Sequence, residues 1–130
     1  MNQDQRSAAA LFRALHVPGA PLILYNIWDA GSAAAVARAG AKALATGSWS
    51  VAAAHGFADG ERLPLSLAMA NLGEIIAAVS LPVSIDLEAG YGDPAAAVQE
   101  AAAAGAVGCN LRAGMIRRAH SSVSSCWMAT

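Results

Sequence analysis

The sequence predicts an α/β fold of parallel strand–helix repeats, on three observations. Short apolar β-forming runs alternate with longer helical stretches as far as Leu111. No hairpin signal joins one strand to the next, so the connections are crossovers and the strands run parallel. The chain also echoes itself: Ala39-Gly40-Ala41-Lys42-Ala43-Leu44 and Ala104-Gly105-Ala106-Val107-Gly108-Cys109 share one design of helix end, glycine stop and short strand.

Each element follows from its residues. Ala8, Leu11, Phe12 and Leu15 stand at helical spacing within a first helix over 5–16, which His16-Val17-Pro18-Gly19 ends. The first strand is predicted over 22–26. Asn26-Ile27-Trp28-Asp29 follows as a loop, and Asp29 can cap a helix that runs to about residue 39. The second strand is predicted over 42–47. Gly47-Ser48-Trp49-Ser50 reads as a turn, followed by a longer loop that holds His55 and Gly56-Phe57-Ala58-Asp59-Gly60-Glu61. Residues 65–79 form the next helix, with Leu67, Leu72, Ile75, Ile76 and Val79 on its apolar side. A strand over 82–87, a helix over 94–104 and a fourth strand over 106–111 complete the pattern. Beyond Leu111 the chain turns basic and then serine-rich, without a period, and does not read as a fifth strand–helix unit.

Composition bounds the function. The chain has 130 residues, 56% hydrophobic and 13% charged, which suits one globular domain with closely packed, alanine-rich helices. A net charge of −1 gives no reason to expect nucleic acid or an anionic membrane as partner. The charge is uneven: residues 1–111 carry −4 and the tail carries +3. The N-terminus lacks the apolar core of a signal peptide, and no apolar run reaches the length of a membrane span. Cys109 and Cys126 form no CxxC pair, which fits reduced thiols and a cytoplasmic location.

The chemistry concentrates in Pro82-Val83-Ser84-Ile85-Asp86-Leu87-Glu88-Ala89-Gly90-Tyr91-Gly92-Asp93-Pro94. Asp86 and Glu88 are two apart, so on an extended chain they leave the same face at the strand's C-terminal end. Paired carboxylates repel and resist burial unless a cation neutralises them. Oxygen ligands suit a hard cation such as magnesium. The plainer alternative is an exposed strand end whose acids are solvated. Asp93 can cap the next helix, with Pro94 at its first position. In parallel α/β folds the chemistry sits at C-terminal strand ends, and the segments 26–29, 47–50 and 86–88 all fall there.

These residues resemble the isocitrate lyase and phosphoenolpyruvate mutase superfamily. Asn26-Ile27-Trp28-Asp29-Ala30-Gly31-Ser32-Ala33 resembles its first motif. Ala43-Leu44-Ala45-Thr46-Gly47-Ser48 and Gly56-Phe57-Ala58-Asp59-Gly60-Glu61 resemble its second. Asp86-Leu87-Glu88-Ala89-Gly90-Tyr91-Gly92 resembles its metal-site motif. The resemblance implies the first half of a (β/α)8 barrel over 1–111, with 112–130 as a non-family tail. It implies Mg2+, with Mn2+ as an alternative, and a small 2-oxo or 2-hydroxy carboxylic acid whose C–C or P–C bond is cleaved or rearranged through an enolate. By position Asp86 and Glu88 match the metal-site acids, and Asp59 matches a catalytic acid near the metal. Gly47, Ser48 and Trp49 match the turn that grips the substrate carboxylate. Full-length members are expected to be homo-oligomers.

The chain also departs from the pattern. The family usually has Ser where Gly47 stands, and Asp-Thr where Glu88-Ala89 stands. It reads Glu-Asp where this chain has Arg112-Ala113, and the gating loop has no counterpart. A barrel of this type takes about 250 residues. Three readings therefore stand: a lyase or mutase of this family with impaired activity, a truncated non-catalytic half-barrel, or a module that docks by an open sheet edge. Half a barrel is expected to leave the first and fourth strands with open edges, which favour self-association. Other candidates have plain readings: His55 as an incidental loop residue, His16 as a helix end, Cys109 as a buried thiol, and Arg117-Arg118 as a solvated pair. Trp49 either lines the pocket or covers its mouth.

Overall fold

A computed structural model describes residues 3–112 and the strand 123–127. Its elements, in chain order, are α1 (Gln3–Ala14), β1 (Tyr25–Ile27), α2 (Ala30–Arg38), β2 (Leu44–Thr46), α3 (Ser48–Ala54), α4 (Leu65–Ala78), β3 (Val83–Asp86), α5 (Pro94–Ala104), β4 (Gly108–Arg112) and β5 (Val123–Trp127). The sheet order is β1-β2-β3-β4-β5. The first four strands pair in parallel, as the alternation predicts, with Ile27 beside Thr46 and Asp86 beside Asn110.

Local chemistry fixes the helix ends. Asp29 caps α2 through a capping box: its carboxylate accepts from the Ser32 N–H, and the Ser32 hydroxyl accepts from the Asp29 N–H. Asp93 accepts from the Ala96 N–H at 3.1 Å, Pro94 opens α5, and Gly105 closes it at φ +110. The main core lies between the sheet and α2, α4 and α5, around Ile27, Leu44, Leu72, Ile75, Ile85 and Leu87. A second cluster joins Phe12 of α1 to Ala43 and Val107 near the N-terminal strand ends. A third packs Val51 and Ala52 of α3 on Leu63 and Ala68.

Four expectations need correction. The first strand is shorter than 22–26 and starts at Tyr25, because among the described residues β1 pairs with β2 alone and its register begins opposite Leu44. Residues 48–54, read as turn and loop, form α3; Val51 and Ala52 turn inward, and that burial holds a helix too short to show a period. Leu67 is 41% exposed, and the buried side of α4 runs instead through Ala68, Asn71, Leu72 and Ile75. The fourth strand's edge is not open: β5 pairs antiparallel with β4, from Gly108 opposite Trp127 to Arg112 opposite Val123. Among the described residues, no strand pairs with the outer edge of β1. The Arg117–Arg118 pair lies outside the described residues.

Candidate functional site

The C-terminal ends of β2 and β3 meet through side chains. Asp86 closes β3, and its N–H donates to Thr46 Oγ1 at 3.1 Å. Ser48, first in α3, donates to Asp86 Oδ2 through its hydroxyl at 2.8 Å and its N–H at 3.4 Å. The other carboxylate oxygen, Oδ1, accepts from the Glu88 N–H at 3.0 Å. Ser48 and Asp86 are thus locked together across 38 positions of sequence.

Glu88 lies just past the strand in left-handed backbone, φ +52, and is only 4% exposed. Both its carboxylate oxygens face the Glu61 N–H, at 3.1 and 3.0 Å. Burial pushes the Glu88 carboxyl above its ordinary value, and the charges of Asp59, Asp86 and Glu61 push the same way. The Glu61 N–H opposes them. Tyr91 is pushed up to about 12, first by burial and then by Glu88, Glu61 and Asp86. A small cavity runs between these groups, lined by Thr46, Ser48, Asn71, Asp86, Glu88 and Tyr91 among others. Asn71 is buried and donates to the Trp28 carbonyl at 3.0 Å, which ties the β1–α2 turn to this rim.

The residues singled out from sequence divide. Ser48, Asp86 and Glu88 line one cavity. Gly47 caps α3 beneath it; a Cβ there would come within 2.9 Å of both Asn26 Nδ2 and Ser50 Oγ, so Asn26 occupies the space a side chain at 47 would need. Asp59 is exposed in the α3–α4 loop and reaches the site through its charge. Trp49 is 68% exposed and is not among the cavity's lining residues. His55 turns its Nδ1 onto the Val51 carbonyl, 2.9 Å away. Cys109 is buried. Sequence reasoning missed Thr46, Asn71 and Glu61. Thr46 and Asn71 carry a usable signal, a polar residue inside an apolar run; Glu61 carries none beyond its place at the end of the 56–61 motif.

The donor chemistry suits a hard cation. Asp86 and Glu88 supply carboxylate oxygens, and the charges acting on Glu88 are all negative. Among the described residues, no three His, Cys, Asp or Glu side chains converge as a ligand group. Magnesium commonly takes one or two carboxylates and completes its shell with water and substrate, so the pair fits it.

A parallel sheet with its first four strands in sequence order, and with serine and carboxylates at one C-terminal rim, has the layout of part of a barrel-type α/β fold. Comparison with known proteins makes this specific. The chain belongs to the phosphoenolpyruvate phosphomutase family, whose model matches residues 12–125. Two uncharacterised proteins from Mycobacterium tuberculosis strains are each 36% identical to it over 89 residues, 68% of this chain and 34% of theirs. A candidate phosphonomutase from Burkholderia cenocepacia J2315 is 53% identical, with a TM-score of 0.81 over 86% of this chain and 49% of that one. The structure of 2,3-dimethylmalate lyase, a member of the PEP mutase/isocitrate lyase superfamily, is 28% identical, with a TM-score of 0.72 over 88% of this chain and 41% of that one. The chain thus spans about a third of the length of the curated relatives and up to about half that of these structures.

Proposed function

We propose that this chain carries the cation- and carboxylate-binding half of a magnesium-dependent lyase or mutase. Its substrate would be a small 2-oxo or 2-hydroxy carboxylic acid that reacts through an enolate. The observation that supports this most is the Ser48–Asp86 contact at 2.8 Å, which sets a hydroxyl and an amide beside a carboxylate at the ends of two strands. Asp86 and Glu88 would hold Mg2+, or Mn2+ in its place. The metal, when bound, supplies Lewis-acid stabilisation of enolate charge. The chain's own groups do the rest. Ser48 offers donors to a substrate carboxylate, which must compete with Asp86 for them. Asp59, exposed at the rim, is the proposed catalytic acid. Gly47 and Trp49 flank the same turn.

Oxalate, a planar dianion that mimics an enolised 2-oxo acid, is the probe for this reading, and oxaloacetate acetylhydrolase has been solved in complex with oxalate as its product. Calorimetry should show oxalate uptake that requires Mg2+ and is lost in Asp86→Ala and weakened in Ser48→Ala. Uptake that ignores Mg2+, or survives Asp86→Ala, would refute it. One observation favours a second reading, a non-catalytic half-barrel: an exposed Arg112 stands at the end of β4, where the family pattern has an acid. Oxalate binding without turnover of oxaloacetate or phosphonopyruvate would support that reading.

A further inference from the structure

Glu61 has no assigned part in the site, yet it bonds the rim through both its N–H and its carboxylate. Its N–H holds both oxygens of Glu88. Its own carboxylate reaches back to the turn after Glu88, where Oε1 accepts from the N–H of Ala89 at 3.1 Å and of Tyr91 at 2.7 Å. The two glutamates are therefore hooked reciprocally: each takes backbone donors from the loop that carries the other. Among the described residues, three non-glycine residues have positive φ: Glu61 at +60, Glu88 at +52 and Tyr91 at +53. All three belong to this latch. Side chains disfavour that backbone region, so it persists only where surrounding contacts impose it. Bonds between a charged carboxylate and N–H groups are of the stronger kind.

We propose that Glu61 is a positioning residue. By fixing the Ala89–Tyr91 turn it sets where the Glu88 and Asp86 carboxylates stand, and it holds the α3–α4 loop against the rim. The latch ties Glu88 on one side, through the Glu61 N–H, and the turn that follows it on the other. Neither loop keeps its strained backbone once the Glu61 carboxylate is gone. The positioning role rests on the reading of Asp86 and Glu88 as cation-binding groups; the latch itself does not.

The test uses the full 130-residue chain with Glu61→Ala and Glu61→Gln, and two readouts. Amide hydrogen exchange without metal should speed up by about 10- to 100-fold at Ala89 and Tyr91 in Glu61→Ala, with α2 amides unchanged. Glu61→Gln, which keeps a neutral acceptor oxygen and nearly the same shape, should fall between. Mg2+ affinity by calorimetry should drop about 10-fold or more in Glu61→Ala, the usual effect of removing a group that orients a ligand. Unchanged exchange at those two amides overturns the latch. Faster exchange with unaltered Mg2+ affinity overturns the positioning role and leaves Glu61 merely structural. A parent that takes up no Mg2+ refutes the cation reading alone, and the exchange data then decide the latch.

Discussion

Gly90→Ala should be among the most damaging single-methyl additions in this chain, and Gly92→Ala should be mild by comparison. Both glycines lie in the turn after Glu88 and both have positive φ, +94 and +83. They differ in what a methyl group would meet. At Gly90 it would lie 2.7 Å from the Pro94 Cα and 2.8 Å from two of its ring carbons; at Gly92 nothing lies within 4 Å. Pro94 cannot step aside, because it opens α5 directly after the Asp93 cap. The left-handed backbone costs about 1–2 kcal/mol at either site. Overpacking adds about 1–3 kcal/mol at Gly90 alone. The expected loss is therefore about 2–5 kcal/mol for Gly90→Ala and about 1–2 kcal/mol for Gly92→Ala. Domains of this kind have about 5–15 kcal/mol in total, so the first variant loses a large share. Urea unfolding followed by circular dichroism measures both. Equal midpoints for the two variants would refute the steric reasoning, and a Gly90→Ala protein as stable as the parent would refute the turn itself.

Asp29→Ala should cost about 1 kcal/mol through loss of the α2 cap, read from the same unfolding curves. Hydrogen bonds from Ser32, backbone first and then hydroxyl, hold the Asp29 carboxyl below its ordinary 3.8; its folded value is lowered, so its contribution is full above 3.8 and fades as pH falls through the folded value, and the stability gap between the parent and Asp29→Asn should shift only in that acid range. Arg112→Glu should tighten Mg2+ binding and Asp86→Ala should weaken it, because one adds and the other removes negative charge at the rim; calorimetry giving equal affinities would contradict this. The open β1 edge, with Ile23 67% and Tyr25 56% exposed beside it, should make the isolated chain self-associate, and Tyr25→Lys should reduce this in sedimentation velocity; a parent that stays monomeric at every concentration would contradict it.

How far the sequence reveals this molecule depends on the range of the interaction involved. Helix α5 was legible to the residue, since cap, first-turn proline and terminal glycine are all local: Asp93, Pro94 and Gly105. The parallel order of the first four strands was legible because alternation leaves few topologies. Helix α3 was not, because seven residues give too little period and Ser48 and Ser50 read as turn formers. Strand β5 was not, because a serine-rich run has no strand pattern and its order comes from pairing with β4. In the site, Asp86, Glu88 and Ser48 were legible as residue types at strand ends. Glu88 was not expected in left-handed backbone, and Glu61 was read only as the last residue of a motif. A latch across 27 to 30 positions of sequence has no local signature.

Among the described residues, a closed set of contacts holds the site. Thr46, Ser48, Glu61, Asp86 and Glu88 position one another through bonds among β2, β3 and the loops that follow them. These bonds keep the rim's donors and carboxylates in register with one another. What further strands and a covering loop would add is the exclusion of water around a reacting enolate, which strengthens electrostatic stabilisation of its charge. On the proposed reading, binding and turnover are therefore separable. Cation and carboxylate affinity would depend on side chains these strands hold in register, whereas turnover would depend as well on cover that excludes water. A chain that binds oxalate with Mg2+ yet leaves oxaloacetate intact would be the direct consequence of that division.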